Sequence, residues 1–238
     1  MKTTVAYTVL ALAIAFAVSP AFIDPFSGFR ADQLPVPQVD PPIQPAGYAF
    51  AIWGLIYAWL IVSAVYGVWK RRDADDWHRA RLPLIVSLAV GTPWLAIANA
   101  SAIWATVTII IMAVFAIWSL LLAPGRDRWL FQAPTAIYAG WLTAASCVSL
   151  GSTGAGYGLI TDAYGWAFIG VALALAASIA IFLKRRSAPE YLATVIWALV
   201  GIVVANGLAL PFVSIAAAAG IVILAGIALT KTRTLAAV

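Results

Sequence analysis

The sequence predicts an all-α fold, a polytopic transmembrane bundle of about eight helices. The 238-residue chain is 64% apolar and 10% charged, with a mean hydropathy of +0.98. A soluble domain cannot bury so much apolar surface, so the bilayer must act as the solvent. Uncharged runs of about 20 residues recur, which is long enough to cross a ~30 Å hydrocarbon layer as helices. The alternating segments of about 10 residues that build a membrane β-barrel are missing.

The apolar runs define eight predicted spans. Only Asn99 to Ser101 separates spans three and four, and only Gly207 to Pro211 separates spans seven and eight, so each pair should form a tight antiparallel hairpin. Pro93, within the third span, should bend that helix because proline frees a backbone carbonyl. The spans cover residues 3–23, 46–69, 82–99, 102–122, 131–150, 163–183, 190–208 and 211–230.

The basic residues predict the orientation of these spans. If the N-terminus is cytoplasmic, thirteen of the fourteen Lys and Arg residues fall on the inside, and only Arg30 lies outside. The positive-inside rule therefore favours eight spans, with both termini in the cytoplasm of a bacterial inner membrane. This topology also accounts for the net charge of +5 without a nucleic-acid partner.

The spans contain little reactive chemistry. Apart from Glu190, the first residue of the seventh span, no predicted span includes an Asp, Glu, Lys, Arg or His residue, although ion-coupled transporters usually carry such a group inside the membrane. The chain has one histidine, His78, and one cysteine, Cys147, and it lacks a phosphate-binding loop, a nucleophile elbow and metal-ligand spacing. The sequence therefore predicts neither an enzyme nor a metal site.

Two aromatic stripes are the most distinctive local features. Phe50, Trp53 and Tyr57 fall on one face of the second span, because steps of three and four residues return to the same side of a helix. Tyr138 and Trp141 form a similar stripe in the fifth span. Such stripes can face lipid, fill the bundle core or line a pocket, and periodicity alone leaves these alternatives open.

Small residues form a second face on the second span, about 100° from its aromatic stripe. Small side chains allow the close approach that helix packing in lipid requires, so this face should contact another helix. Tyr48, at the start of the span, is most simply an anchor at the membrane interface. The small residues are Gly47, Ala51, Gly54 and Ala58.

The order of these motifs resembles the TspO/translocator protein family, also called tryptophan-rich sensory proteins. The motifs are "FAIWGLIY" at residues 50–57, Pro93-Trp94 in the third helix and "YAGWLTAA" at residues 138–145, in a chain with eleven tryptophans. The resemblance covers residues 1–150, which would form the five-helix bundle of the family. Residues 151–238 would then add three transmembrane helices, beyond a flexible glycine-rich linker at residues 151–165.

The resemblance implies a ligand pocket beneath the loop that joins the first two helices. That family binds porphyrins and related tetrapyrroles, sterol-like lipids and flat aromatic drugs. Its pocket tryptophans match Trp53 and Trp141, which we expect to face each other and to sandwich a flat ring. The other implied lining residues are Phe50, Tyr57, Trp94 and Tyr138, and the implied roof residues are Pro41, Pro42 and Tyr48.

The departures from the family pattern widen the range of ligands. The proline-rich loop lacks the usual tryptophan, and the third-helix motif is reduced to "VGTPWLAIAN". The sequence therefore predicts a non-enzymatic protein that binds a tetrapyrrole, a carotenoid or a lipid-like molecule for sensing, transfer or regulation. The alternatives are an assembly subunit of a larger membrane complex and an uncoupled transporter of small solutes. The expected partners are membrane lipids, an apolar small molecule, and other membrane subunits or a second copy of the chain.

Overall fold

The computed structural model describes residues 1–236, with side chains for residues 1–230, and its regular structure in that range is entirely helical. Short 3₁₀ turns at Ser19–Phe22 and Gly47–Ala51 follow α1 and precede α2, and a π-helical turn at Arg128–Gln132 leads into α6. The nine helices of the described chain are α1 Lys2–Val18, α2 Ile52–Lys70, α3 Asp75–Gly91, α4 Trp94–Ala100, α5 Ala102–Leu122, α6 Ala133–Gly156, α7 Ala163–Lys184, α8 Pro189–Asn206 and α9 Pro211–Ala236.

Contacts between the connecting segments sort them onto two ends of the bundle. At one end, which we call the basic end, Lys2 at the N-terminus pairs with Asp75, and Arg71 after α2 pairs with Asp127 after α5. Arg128 before α6 pairs with Glu190 at the start of α8 at the same end. The chain therefore returns to this end after each pair of crossings.

The opposite end, the loop end, is formed around residues 23–46. The Asn99 side chain near the end of α4 donates to the Asp24 carbonyl, and the Gly156 carbonyl at the end of α6 accepts from Val36 N–H. Asn206, at the end of α8, donates to the Pro42 carbonyl. Taken with the basic end, these contacts give eight crossings within the described residues, as the sequence predicts.

Hydropathy accounts for seven of these crossings. Six helices are long and apolar enough to cross a membrane alone, and α3 and α4 make a seventh crossing, bent by 41° at the break containing Pro93. This break confirms the predicted bend. The eighth crossing is α6, whose 24 residues span about 36 Å at 1.5 Å per residue.

Helix α6 is more polar because protein surrounds it. It packs against α2, α5, α7 and α8, and most of its residues are buried. Its hydroxyl groups find partners there: Thr143 lies 2.8 Å from the Tyr191 hydroxyl, and Ser149 lies 2.8 Å from the Thr106 hydroxyl. A helix enclosed by other helices does not need an apolar outer face, since its polar groups are satisfied internally.

The prediction of a glycine-rich linker at residues 151–165 is wrong for the first six residues, which continue α6, and for the last three, which begin α7. Residues 151–156 continue α6, and several of them are buried. A side chain at Gly154 would meet the Trp166 ring at 2.4 Å, and one at Gly156 would meet Leu34 at 2.7 Å. These glycines therefore allow close packing against α7 and the loop, and only residues 157–162 connect α6 to α7.

The prediction that the small residues of α2 contact another helix is also wrong for the described residues. Among the described residues, no neighbouring segment places an atom within 4 Å of the position that a Cβ atom on Gly47 or Gly54 would take. Ala51 and Ala58 are likewise exposed. The small residues face outward because α2 uses its aromatic side to contact α1 and α6.

A buried carboxylate closes the basic end. Asp127 accepts hydrogen bonds from Arg71 at 2.7 Å, Trp77 Nε1 at 2.8 Å and the Tyr66 hydroxyl at 3.3 Å. Burial alone would raise the pKa of Asp127, but these hydrogen bonds and the Arg71 charge outweigh it and hold the pKa below its usual value. The network ties the α2–α3 connection to the α5–α6 connection.

Candidate ligand-binding cavity

A cavity of about 300 Å³ lies between α1, α2, α4, α5, α6 and the segment that follows α1, and we call it the aromatic cavity. It extends from the middle of the bundle towards the loop end. Aromatic side chains dominate its lining, with aliphatic residues and Met112 between them, and no lining residue is formally charged. Its aromatic lining residues are Phe16, Phe26, Phe50, Trp53, Tyr57, Trp94 and Trp141.

The structure brings the two predicted aromatic stripes together. The Trp53 and Tyr57 rings of α2 are nearly parallel, with centroids 5.4 Å apart. Phe50 meets Trp141 of α6 edge to face at 5.7 Å. The first stripe therefore faces α6 and the cavity rather than lipid, an alternative that periodicity left open.

Trp53 and Trp141 do not stand apart as the two faces of a sandwich. Their ring centroids are 6.2 Å apart and their planes meet at 83°, so they contact each other edge to face. A flat ring held between two parallel rings needs about 7 Å between their planes, twice the ~3.5 Å contact distance. A ligand in this conformation would therefore lie against both tryptophans on one side of the cavity.

Tyr138 lies behind this wall rather than in the cavity lining. It is fully buried, its ring contacts Phe16 edge to face, and its hydroxyl is 2.9 Å from the Ser87 hydroxyl. Ser87 in turn donates to the Met112 carbonyl. Tyr138 therefore supports the wall from α6, and any effect on a ligand would act through the Phe16 and Trp53 rings that it contacts.

Two further cavities adjoin the aromatic cavity on the side of the loop end. The connecting cavity, of about 60 Å³, shares Trp94 and Trp141 with the aromatic cavity and reaches Ala198 of α8. The loop cavity, of about 490 Å³, lies between residues 26–47 and the end of α8. Phe26 and Phe50 line all three cavities, so their rings are the surface that the three cavities share.

The loop residues predicted as a roof take different positions. Pro41 is buried and lines the loop cavity. Pro42 holds the loop against α8, because its carbonyl accepts the Asn206 hydrogen bond at 2.8 Å. Tyr48 lines none of the three cavities, and its ring packs edge to face on Trp197 of α8 at 5.5 Å.

Trp141 differs from the other buried tryptophans in its indole N–H group. Trp77, Trp94 and Trp166 each donate to a protein acceptor at 2.6–3.1 Å. Trp141 is only 2% exposed, and its Nε1 has no acceptor within the described residues. An unpaired buried donor costs about 1–3 kcal/mol, so this group has an unused capacity to bond an acceptor.

The family of the chain follows from its sequence as a whole. A family model described as TSPO-like protein matches residues 3–230. The chain belongs to the TSPO-like family. The match continues through α7 and α8 into α9, so the likeness is not limited to residues 1–150. No curated protein and no solved structure gives a match to the chain.

Family membership makes this TSPO-like protein an integral membrane protein of a family that in general binds apolar ligands and is not enzymatic. The described residues contain no group of three or more His, Cys, Asp or Glu side chains able to hold a metal ion.

Several cavity residues of this TSPO-like protein were not among the sequence predictions. Phe16 on α1 contacts both Trp53 and Tyr57, while Phe26 and Gln44 come from the loop and Asn206 from α8. Phe16 falls on the buried face of α1, so the helical periodicity of α1 alone could have identified it. The loop and α8 residues carry no such signal, because long-range packing alone brings them to the cavity.

Proposed function

We propose that this TSPO-like protein binds a flat apolar ligand in the aromatic cavity, for sensing, transfer or regulation rather than for catalysis. The observation that carries the proposal is the uncharged aromatic lining of a preformed space in the bundle, with volume in the range of small-molecule sites. Aromatic rings offer a ligand a large contact area, and ring pairs add roughly 0.5–1.5 kcal/mol beyond burial.

The unpaired Trp141 N–H narrows the class of ligand. The Nε1 atom is buried, so the indole would have to turn its N–H toward the cavity on binding. A ligand with a carbonyl or another acceptor beside its flat ring could then accept this hydrogen bond, while a pure hydrocarbon could not. Quinones, oxygenated carotenoids, other oxygenated lipids and tetrapyrroles all carry acceptors. The aromatic cavity alone suits a compact ring system, and a larger ligand such as a tetrapyrrole would extend through the connecting cavity.

Binding fits the geometry better than passage of a solute through the protein. The three cavities lie between the middle of the bundle and the loop end. At the basic end, the hydrogen bonds of Asp127 link two connections across the bundle. The positive-inside pattern supports placing this end in the cytoplasm of a bacterial inner membrane.

A pair of pyrene probes tests the proposal. Pyrene and 1-acetylpyrene have the same ring system, but only the second carries a carbonyl acceptor. Both should quench tryptophan emission of the full chain in nanodiscs, with saturation at one probe per protein. In Trp141→Phe, the affinity for 1-acetylpyrene should fall about threefold to tenfold relative to pyrene, the size of one neutral hydrogen bond.

The ratio of the two probes within each variant cancels the loss of one tryptophan donor. Trp94→Phe provides the matched control, because Trp94 also lines the cavity but its N–H already bonds the Ala105 carbonyl. That variant should change the affinities for both probes by the same factor. Quenching that never saturates for either probe would contradict binding in the cavity.

A further inference from the structure

The loop cavity differs from its neighbours because it is partly polar. Its lining combines the Phe26 and Phe50 rings and prolines with polar side chains from the loop and from α8. A ligand whose apolar body occupies the aromatic cavity would place a polar group here, since the two cavities share Phe26 and Phe50. The polar lining residues are Ser27, Asp40, Gln44 and Asn206.

The two amide side chains of this cavity use their donors within the protein. Asn206 donates from Nδ2 to the carbonyls of Pro42 and Ile202, at 2.8 and 2.9 Å. Gln44 donates from Nε2 to the Ser27 carbonyl at 3.1 Å. The oxygen of each amide remains as an acceptor, without a protein donor among the described residues. The side chains of the cavity therefore offer a ligand mainly acceptors.

Asp40 gives this cavity its only formal charge within the described residues. Asp40 forms no ion pair in that part of the chain, whereas Arg30, the one basic residue of the loop, is already paired with Asp32 at 3.0 Å. The backbone of Asp40 is left-handed, with φ of 46°, a conformation that Asp and Asn adopt more readily than other side-chain-bearing residues. The turn therefore accepts Asp or Asn at this position.

The charge of the whole loop end has the same sign as that of Asp40. The connecting segments there hold Asp24, Asp32, Asp40 and Asp162, against the single cation of Arg30. Four carboxylates and one guanidinium give a net charge of −3. This field attracts cations to the mouth of the cavity and repels anions, over a distance of about 10 Å at 0.1 M salt.

We propose that the ligand of this protein carries a cationic head, which the loop cavity receives beside Asp40, on a flat apolar body. The inference rests on the function proposed above and adds the charge of the ligand to it. An ammonium group would find the Asp40 carboxylate, the amide oxygens of Gln44 and Asn206, and the faces of Phe26 and Phe50, which attract cations. A ligand with a carboxylate head would meet acceptors and a like charge in the same place.

Three pyrenes with different heads test this preference on the full chain in nanodiscs of zwitterionic lipid. The probes are 1-pyrenemethylammonium, 1-pyrenemethanol and 1-pyrenecarboxylate, and the readout is quenching of tryptophan emission. Asp40→Asn should weaken binding of the ammonium probe about threefold to fivefold at low salt, the size of a partly exposed charge pair. The alcohol should change less than twofold, and the carboxylate should bind equally well or better.

Asp162→Asn is the matched control. It removes the same charge from the same end, and asparagine can retain the hydrogen bond that Asp162 accepts from Gly165 N–H at the start of α7. This variant should leave the preference for the ammonium probe unchanged within twofold. Equal effects of the two variants would overturn the proposal, because they would assign the preference to the general field and not to the loop cavity.

The other outcomes separate this inference from the function it rests on. If the alcohol saturates while the ammonium probe binds no better in the unaltered protein than in Asp40→Asn, the cationic head is refuted and ligand binding stands. If none of the three probes saturates, the proposed ligand site is refuted, and the inference with it.

Discussion

Replacing Trp53 with alanine removes the ring at the centre of the aromatic wall. Trp53 contacts Phe16, Tyr57, Tyr138 and Trp141 at centroid distances of 5.4 to 6.5 Å, and it lines the aromatic cavity. A ligand would lose one aromatic contact, worth on the order of 1 kcal/mol, and the apolar burial against that ring at ~25 cal/mol per Å². The expected loss is about 1.4–2.8 kcal/mol, or roughly tenfold to a hundredfold in affinity.

Trp59→Ala is the control for this change, because it removes one tryptophan from another face of the same helix. Trp59 stacks on Trp129 at 6.3 Å and donates to the Trp129 carbonyl, at the periphery of the bundle. Binding of 1-pyrenemethanol should change less than twofold in this variant, as followed by tryptophan quenching, with thermal unfolding recorded for both. Equal loss of affinity in the two variants would refute the cavity as the site and would indicate that both tryptophans act through folding or lipid anchoring.

Three further predictions concern stability and topology. Gly140→Ala should destabilise the protein by about 1–3 kcal/mol in a thermal unfolding assay, because the added carbon would lie 2.6 Å from a backbone carbonyl of α8. Gly54→Ala is the control: no neighbouring segment lies within 4 Å of its added carbon, so this variant should be neutral or slightly stabilising in the same assay. Asp127→Asn should lower the unfolding midpoint at pH 7. Because the pKa of Asp127 is depressed in the folded protein, its contribution to stability is full above the ordinary carboxyl pKa of about 4 and is lost as the pH falls below that value. The unfolding midpoints of the two proteins should therefore converge in acid. Reporters fused after Val238 and inserted within residues 157–162 should report opposite sides of the membrane, and the same side for both would contradict the eight crossings.

The sequence by itself determined the helices and their alternation across the bundle. Uncharged runs of fixed length and the position of proline are local properties, and the thickness of the bilayer converts them directly into spans. For this reason the hairpin at Ser101 and the bend at Pro93 appear where the sequence predicts them. The motifs around Trp53 and Trp141 likewise indicated the family from short segments.

The tertiary structure alone decided which surfaces enclose space. Periodicity places Trp53 and Tyr57 on one face, but only the packing of α1 and α6 against that face turns it into a cavity wall. Periodicity likewise places Tyr138 on the same side of α6 as Trp141, but it does not show that Tyr138 is buried behind the cavity wall. A helix pattern fixes the direction of a side chain relative to its own axis and leaves its neighbours undetermined.

The loop end shows the largest contribution of long-range packing. Asp40, Gln44 and Asn206 meet around one cavity although about 160 residues separate the loop from the end of α8. No local pattern links them, because the hydrogen bond from Asn206 to Pro42 forms only after the bundle has assembled. Hydropathy and spacing thus define the elements of this protein, while the position of charge and hydrogen-bond acceptors at its cavity depends on how those elements pack.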